Sequence, residues 1–201
     1  MKDKLLIIGA GGHGKVAIDI AKNYYKTIII ADDFKQGEVL SCKIIGGVEK
    51  ALQGEKCDFF VALGDNKLRE QIFDKFVSCG FTAVSLVHPS AIIAEDVVIG
   101  RGSIVMAGAV INPSVSIGIG CIINTCSSVD HDCVIDSFTH LCPSTHFAGG
   151  VKVGKYNTFG IGTIVINNIT ICDDAYFGAG AVVVKDVNLS GTYIGVPAKK
   201  K

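Results

Sequence analysis

Residues 105–135 read "VMAGAVINPSVSIGIGCIINTCSSVDHDCVI", and an aliphatic residue returns at every sixth position of this stretch. Stepping by six from Val87 to Val183 gives seventeen positions, all of them apolar. The residue four places after each is usually small, as at Ala109, Ser127 and Thr145. Repetition with a period of six residues predicts a parallel β-helix.

The period also sets the dimensions of the predicted β-helix. Six residues in extended conformation span roughly 20 Å, which makes one flat side of a coil. Three such hexads close a triangular coil, and successive coils stack through hydrogen bonds between their backbones. The 102 residues from 87 to 188 therefore make between five and six coils.

His131 is the third residue of the hexad "VDHDCV" and has an aspartate on either side, Asp130 and Asp132. If the aliphatic residue of each hexad points inward, the third and fourth residues fall at a corner and the third is directed outward. His140 and His146, sixth in their hexads, point outward from flat sides by the same argument. His131 is therefore a candidate general base, a candidate metal ligand, or an ordinary solvated histidine at a polar corner.

The first 86 residues predict a small α/β domain. The segment "LLIIGAGGHGKVAIDIAK" indicates a strand, a glycine-rich turn and a helix, with Gly9, Gly11 and Gly14 in the G-x-G-x-x-G pattern. A second strand ends in "ADDF", a third follows in "DFFVALGDN", and a helix is expected at roughly residues 66–78. This is half of a doubly wound fold, which offers one mononucleotide site and favours a nucleotide or nucleotide-sugar over NAD. The alternative is that the glycines serve only the turn.

Composition and charge argue against several classes of protein. With 19 basic and 19 acidic residues the formal net charge is zero, so nucleic acid is not an expected ligand. Residues 102–129 are uncharged, but their polar residues, their proline and a period that is not helical argue against a membrane span. The eight cysteines form no C-x-x-C pair and no signal peptide precedes "MKDKLLIIGAGG", so a cytoplasmic protein with reduced thiols is expected.

Five motifs taken together resemble one family: "GAGGHGK", "DDF", "ALGDN", "VDHDCVI" and "GVPAK". The chain resembles the bacterial sugar acetyltransferases, which include the sialic acid O-acetyltransferases and the UDP-4-amino-sugar N-acetyltransferases of the bacillosamine pathway. The similarity covers essentially the whole chain, and "CDFFVALGDNKLREQIF" and "NTCSSVDHDCVI" are most similar to the bacillosamine enzymes. We therefore expect a half-Rossmann α/β domain over residues 1–86, a left-handed parallel β-helix over 87–188 and a C-terminal tail over 189–201.

The resemblance also implies roles for individual positions. His131 matches the catalytic base and Asp132 the carboxylate that orients it, with Asp130 as a rival for the second role. The positions that match nucleotide-sugar contacts are Gly11, Gly12 and His13 at the phosphates, Asp32 and Asp33 near the base and ribose, and Gly64. The positions that match the acetyl-CoA groove are His140, Gly149, Ile161 and Ala179, with the amide of Gly149 implied to hold the oxyanion.

The function implied by the resemblance is N-acetylation of a UDP-linked 4-amino-sugar, with acetyl-CoA as co-substrate, no metal, and homotrimers whose active sites lie between subunits. His131 would take a proton from the sugar nitrogen as it attacks the thioester. Three alternatives stay open: O-acetylation of a sialic acid type of sugar, a zinc enzyme of the carbonic anhydrase type, and a non-catalytic trimer that binds nucleotide-sugars. The zinc alternative is disfavoured because His131 and His140 are nine residues apart and do not stack at the period of the coil.

Overall fold

The computed structural model describes residues 1–201, which form two compact units, residues 1–86 and residues 87–201. The strands of the N-terminal unit are β1 (Lys2–Ile8), β2 (Tyr25–Ala31), β3 (Glu38–Val39), β4 (Cys42–Gly46), β5 (Asp58–Val61) and β6 (Thr82–Ala83). Its helices are α1 (Gly12–Ala21), α2 (Val48–Leu52) and α3 (Asn66–Ser78). No helix of the chain combines the length and the apolar character needed to cross a membrane.

The six strands form one sheet in the order β3-β4-β2-β1-β5-β6, and only β3 is antiparallel to its neighbour. The second half of the central strand β1, residues 5–8, is continuously apolar and buried, as in parallel sheets that are covered on both faces. Helix α1 buries Ala17, Ile18 and Ala21, which lie three and four residues apart on one helical face. This sheet is larger than the three strands expected from the sequence, because β3, β4 and β6 extend it on both sides.

The turn between β1 and α1 requires glycine at two positions. Gly9 has a φ of +105°, in the region that residues with a side chain rarely adopt. A Cβ at Gly14 would lie 2.2 Å from the carbonyl oxygen of Gly9, so a side chain there would displace the helix from the strand. These two glycines allow α1 to begin directly beyond the carboxyl end of β1, where nucleotide phosphates bind in folds of this kind.

The second unit is a parallel β-helix built mostly from two-residue strands, which form three sheets. Sheet I contains β7 (Leu86–Val87), β10 (Ile104–Val105), β13 (Ile122–Ile123), β16 (His140–Leu141), β19 (Thr158–Phe159), β22 (Ala175–Phe177), β24 (Gly191–Ile194) and β25 (Lys199–Lys200). Sheet II contains β8 (Ile92–Ile93), β11 (Val110–Ile111), β14 (Ser128–Val129), β17 (His146–Phe147), β20 (Ile164–Val165) and β23 (Val182–Val183). Sheet III contains β9 (Val98–Ile99), β12 (Ser116–Ile117), β15 (Val134–Ile135), β18 (Lys152–Val153) and β21 (Thr170–Ile171).

Strand pairing follows the coil length expected from the hexads. Val105 pairs with Ile123 in sheet I, and Ile117 pairs with Ile135 in sheet III, so paired residues are three hexads apart. The first residue of each hexad points into the β-helix, and from Val105 to Val183 all of these residues are buried. Each buried aliphatic side chain contributes roughly 1.5–3 kcal/mol of transfer free energy. The predicted combination of a Rossmann-like domain and a parallel β-helix is confirmed.

Small polar side chains at the fifth position of the hexads also lie inside the β-helix. The hydroxyl of Ser127 donates to the carbonyl oxygen of Cys142 at 3.1 Å, and the hydroxyl of Thr139 donates to that of Gly154 at 3.0 Å. The thiol of Cys133 donates in the same way to Ala148 at 3.3 Å. Because each buried donor has a backbone acceptor, the coils tolerate these residues at low cost.

Aromatic rings fill the C-terminal part of the core. The rings of Phe159 and Phe177 stack with their centroids 4.6 Å apart, and Tyr193 follows at 5.5 Å from Phe177. The hexad frame would place Leu189 inside, but Leu189 is 64% exposed. Tyr193 takes the inward place because β24 pairs in parallel with β22. Residues 191–194, within the segment described above as a tail, thus extend sheet I.

Candidate active site

One edge of the β-helix is formed by four stacked corners, residues 113–114, 131–132, 149–150 and 167–168, and we call it the His131 edge. Backbone hydrogen bonds join these corners, since the N–H of Asp132 donates to Pro113 at 3.2 Å and the N–H of Gly150 donates to His131 at 2.9 Å. Asp132 has a φ of +61°, the left-handed conformation that closes the corner. The backbone of His131 is therefore held between the corners before and after it.

The imidazole of His131 points outward, and its side chain is 60% exposed. Its Nδ1 lies 2.7 Å from Oδ2 of Asp132. This hydrogen bond, together with the negative charge of Asp130, raises the pKa of His131 above its ordinary value. When Nδ1 carries the proton donated to Asp132, the outer nitrogen Nε2 is the proton acceptor.

Asp130 makes different contacts from Asp132. Its Oδ1 accepts the backbone N–H of His131 at 2.8 Å and the side-chain amide of Asn112 at 2.8 Å. These two donors, with Asn112 the stronger, lower the pKa of Asp130. Of the two aspartates considered as partners of His131, Asp132 is thus the one that touches the imidazole, and Asp130 holds the backbone.

Gly149 lies against the face of the imidazole. A Cβ at this position would be 2.6 Å from Cε1 and 2.7 Å from Nε2 of His131, so only glycine leaves room for the ring. The N–H of Gly149 has no acceptor within the chain. At the corner of His131 the preceding Asp130 supplies that acceptor, whereas the residue before Gly149 is Ala148. An unpaired backbone donor therefore lies beside the ring.

An open cavity of about 420 Å³ surrounds these groups. Its lining consists of Asp130, His131, Asp132, Ala148, Gly149, Gly150, Asn167 and Asn168. The cavity thus brings together both sequence-predicted catalytic residues and one of the four predicted acetyl-CoA positions.

The other three acetyl-CoA positions lie elsewhere on the β-helix. A second stack of corners, residues 125–126, 143–144, 161–162 and 179–180, forms what we call the Ile161 edge; the N–H of Gly180 donates to Ile161 at 2.8 Å. Ile161 is exposed and Ala179 follows it one coil later. His140 lies partly buried on β16, with Nε2 3.2 Å from the side-chain amide of Asn124. Sheet II separates the two edges, so they are roughly 20 Å apart within one chain.

In the N-terminal unit, Gly11 and Gly12 form the start of α1. Gly11 is the N-cap, the first turn contains no acidic residue, and no atom lies within 4 Å of a Cβ built on either glycine. The N-terminus of a helix attracts anions because its first N–H groups lack partners and its dipole is positive there. This open backbone fits the phosphates of a nucleotide.

His13 follows on the same turn, and its Nε2 is buried without a hydrogen-bond partner. Burial, assisted by the positive charge of Arg69, lowers the pKa of His13 to about 4, so the ring is neutral at pH 7. Arg69 is itself buried, and its guanidinium donates to the carbonyl oxygens of Leu63 and Gly64 at 2.9 and 3.1 Å. The sequence motifs did not identify Arg69, because a single arginine on a helix carries no pattern that distinguishes it from a surface residue.

Asp32 and Asp33 are engaged by the backbone. Asp32 accepts N–H groups from Ala10 at 2.7 Å, Phe34 at 2.9 Å and Lys35 at 2.8 Å, which ties the loop after β2 to the glycine-rich turn. Asp33 accepts the N–H of Val48 at 2.8 Å and so caps α2. Both carboxylates border a cavity of about 110 Å³ lined by Ile8, Gly9, Ala31, Asp32, Asp33, Phe34, Val48, Leu63, Leu68 and Ile72.

Comparison with known proteins extends over both units. Residues 4–76 match the family model described as the PglD N-terminal domain. The acetyltransferase domain of PglB from Neisseria gonorrhoeae, in complex with acetyl coenzyme A, is 36% identical with a TM-score of 0.97, and the match covers 100% of both chains. A mutant of perosamine N-acetyltransferase from Caulobacter crescentus, in complex with CoA and GDP-perosamine, is 40% identical with a TM-score of 0.90, over 98% of this chain and 96% of that one. UDP-N-acetylbacillosamine N-acetyltransferase of Bacillus subtilis is 33% identical over 108 residues, which is 50% of either chain.

A β-helix of hexapeptide repeats that matches an acetyl-CoA-bound acetyltransferase domain over its whole length defines an acyltransferase. Within that class, the chain belongs to the bacterial sugar acetyltransferase family, and it is an acetyl-CoA-dependent enzyme of the kind that the sequence motifs implied. The roles of the individual residues described above stay predictions.

Proposed function

We propose that this enzyme transfers an acetyl group from acetyl-CoA to the 4-amino group of a UDP-linked sugar, with His131 as general base. The observation that carries the proposal is the corner at residues 131–132. There an exposed imidazole has its Nδ1 paired with Asp132 and lies against Gly149, whose N–H has no acceptor within the chain. A base and an oxyanion donor side by side are what acyl transfer requires.

The reaction proceeds by direct attack in this proposal. The neutral sugar amine attacks the thioester carbonyl, and Nε2 of His131 accepts the proton that the nitrogen loses. The N–H of Gly149 donates to the oxyanion of the tetrahedral intermediate, and Asp132 stabilises the imidazolium. Collapse of the intermediate breaks the C–S bond, and the CoA thiolate takes the proton from His131, which restores the base.

The separation of the two edges supports an active site shared between subunits. His131 and Gly149 lie on one edge and Ile161 and Ala179 on another, roughly 20 Å away across sheet II. A second copy that places its Ile161 edge beside the His131 edge of the first would complete the site. We propose that such a copy is present in a homotrimer. We also place the enzyme in the cytoplasm, because none of its eight cysteines forms a disulfide and its co-substrate is acetyl-CoA.

The proposal of UDP rests on the motifs similar to the bacillosamine enzymes, one of which, from Bacillus subtilis, matches half of the chain. The Caulobacter crescentus structure, similar over 98% of this chain, contains GDP-perosamine, so both nucleotides must be tested. A panel of UDP- and GDP-linked 4-amino-sugars, assayed by thiol release from acetyl-CoA, tests the proposal. We expect turnover with a UDP-linked amine and none with the matched UDP-sugar that carries a hydroxyl at the same carbon.

Other outcomes of this panel contradict particular parts of the proposal. Turnover only with GDP-linked amines would overturn the assignment of the nucleotide. Turnover with free sialic acid would favour O-acetylation, which needs no nucleotide. Binding of nucleotide-sugars without thiol release from any of them would indicate a non-catalytic protein.

A further inference from the structure

Asn112 lies one coil before Asp130, at the same place in its hexad. Its side-chain amide donates to Oδ1 of Asp130 at 2.8 Å, and the same oxygen accepts the backbone N–H of His131 at 2.8 Å. One carboxylate oxygen of Asp130 thus connects a side chain of the preceding coil to the backbone of the corner at residues 131–132. None of the motifs in the sequence includes Asn112.

Two donors on one oxygen fix the direction of the Asp130 carboxylate. If Asn112 were lost, only the N–H of the adjacent residue would hold Oδ1, and the carboxylate could rotate toward solvent. Its distance from the imidazole would then increase. The charges support this reading, because Asn112 is the main cause that lowers the pKa of Asp130, and the charge of Asp130 helps to raise the pKa of His131.

Few other ionisable groups face the ring. The corners stacked before and after it, Pro113–Ser114 and Gly149–Gly150, carry none. Asp132 touches Nδ1 directly and is not a partner of Asn112. On the flat sides next to this corner, the nearest ionisable residues are His146 and Lys152, each on the coil after His131. Nδ1 of His146 is 2.9 Å from the hydroxyl of Ser128, and Lys152 lies on β18. The thiol of Cys133 is directed inward and donates to Ala148.

We infer that Asn112 is a positioning residue for His131 and acts through the carboxylate of Asp130. Its importance for catalysis rests on the proposed function, in which His131 is the base. Its action on the imidazole does not, because the titration of His131 can be followed without any reaction.

The test is a double-mutant cycle, read by NMR titration of His131 and by the pH dependence of kcat. The resonance of His131 is identified by its absence in His131→Ala. Asp130→Asn keeps the shape and the acceptor oxygen but removes the charge, so it should lower the titration midpoint by about half a pH unit. Asn112→Leu should give a smaller shift in the same direction and lower kcat by roughly 3- to 10-fold, with the KM for acetyl-CoA unchanged. Combined with Asp130→Asn, Asn112→Leu should cause no further shift.

Asp136→Asn is the matched control. Asp136 occupies the same place in the next hexad and accepts the N–H of Ser137 at 2.6 Å, but its corner has no histidine. This variant should leave the titration of His131 unchanged. If Asn112→Leu does not fold, Asn112→Ser is measured in the same cycle.

Two results would overturn the inference. One is an Asn112 variant in which the titration midpoint of His131 does not change. The other is a double mutant in which the Asn112 substitution shifts that midpoint as much as it does without Asp130→Asn. An active His131→Ala enzyme would instead overturn the proposed function. The NMR cycle would still decide whether Asn112 acts on the imidazole.

Discussion

Replacing His131 by alanine should leave the fold intact, because the side chain is 60% exposed and adds little to the core. In the proposed mechanism the variant lacks the proton acceptor, so kcat should fall by roughly 10²- to 10⁴-fold, the usual contribution of a positioned general base. Binding of acetyl-CoA, measured by calorimetry, should persist. Asp132→Asn should reduce kcat less, since it weakens the orientation of the ring without removing it.

The pH profile separates this role from a structural one. Activity of the wild-type enzyme should rise with pH as the imidazole loses its proton. The hydrogen bond to Asp132 raises the pKa of His131, so the rise should be centred above the ordinary value of 6.5. An amine acceptor also titrates, and the comparison with His131→Ala is therefore decisive. A His131→Ala variant with the kcat and the pH profile of the wild type would mean that the corner at residues 131–132 is only part of the polar surface.

Gly149→Ala keeps the backbone N–H but adds a methyl group where the imidazole lies. Because that Cβ would be 2.6 Å from Cε1 of His131, the ring must move away, and we expect kcat to fall at least tenfold. In a His131→Ala background the same change should have little further effect on kcat. A full additional loss in that background would mean that Gly149 acts independently of the ring.

The half-buried His13, whose Nε2 is buried, makes the stability of the N-terminal unit dependent on pH. Its pKa is about 4 in the folded chain, against an ordinary value of 6.5. Between these values the unfolded chain binds a proton that the folded chain does not, so stability falls as the pH drops from about 6.5 to about 4. The loss attributable to His13 is about 3 kcal/mol. In denaturant melts at pH 7.5 and 4.5, wild type should lose about 2.5 kcal/mol more stability than His13→Gln, because pH 4.5 is still above the folded pKa. Equal losses in both proteins would refute this role of His13.

At the level of the strand, Ile117 and Ser116 on β12 form a matched pair. Ile117 is 2% exposed and points into the coil, whereas Ser116 is exposed on the opposite face. Ile117→Asp buries an unpaired carboxylate and should cost several kcal/mol, enough to prevent folding or assembly. Ser116→Asp should express and melt as the wild type does. Normal thermal stability of Ile117→Asp would contradict the inward register.

The β-helix could be predicted from the sequence because one period sets its inward and outward positions and the length of its coils. Each hexad repeats the same pattern of inward and outward positions. The inward direction of Val129 therefore predicts the inward direction of Ile135, which holds the same place in the next hexad. The hairpin of β3 and β4 has no such support, since neither Glu38–Val39 nor Cys42–Gly46 belongs to a repeat. Helix α2 could not be predicted either, because it has five residues and no capping side chain precedes it. The carboxylate that accepts the N–H of Val48 belongs to Asp33, fifteen residues earlier in the chain.

The same distinction applies to the candidate site. The outward corner position of His131 followed from its place in the hexad. The separate contacts of Asp130 and Asp132 did not, because both residues flank the histidine equally in sequence. They differ only once the coils stack and Asn112, three hexads earlier, reaches Asp130.

For the assembled molecule, two inactive variants can test whether subunits share a site. His131→Ala removes the base from one edge, and Ala179→Trp should block the other edge with a bulky side chain. If a site uses the His131 edge of one subunit and the Ile161 edge of the next, mixed trimers from co-expression contain some intact sites and should regain part of the activity. Each variant alone should stay inactive. Failure of co-expressed, co-purified variants to recover activity would place both edges of a site in one subunit.

The stacking of two-residue strands at intervals of three hexads has a mechanical consequence. Each coil contacts only the coils before and after it, so a chain pulled by its C-terminus should peel from that end. A released coil of three hexads extends to about 60 Å of free chain. Under a steadily increasing force the β-helix should therefore lengthen in near-equal steps, one for each coil that is released. The stacked rings of Phe159, Phe177 and Tyr193 join the last coils at the C-terminus, so the first of these steps should require the largest force.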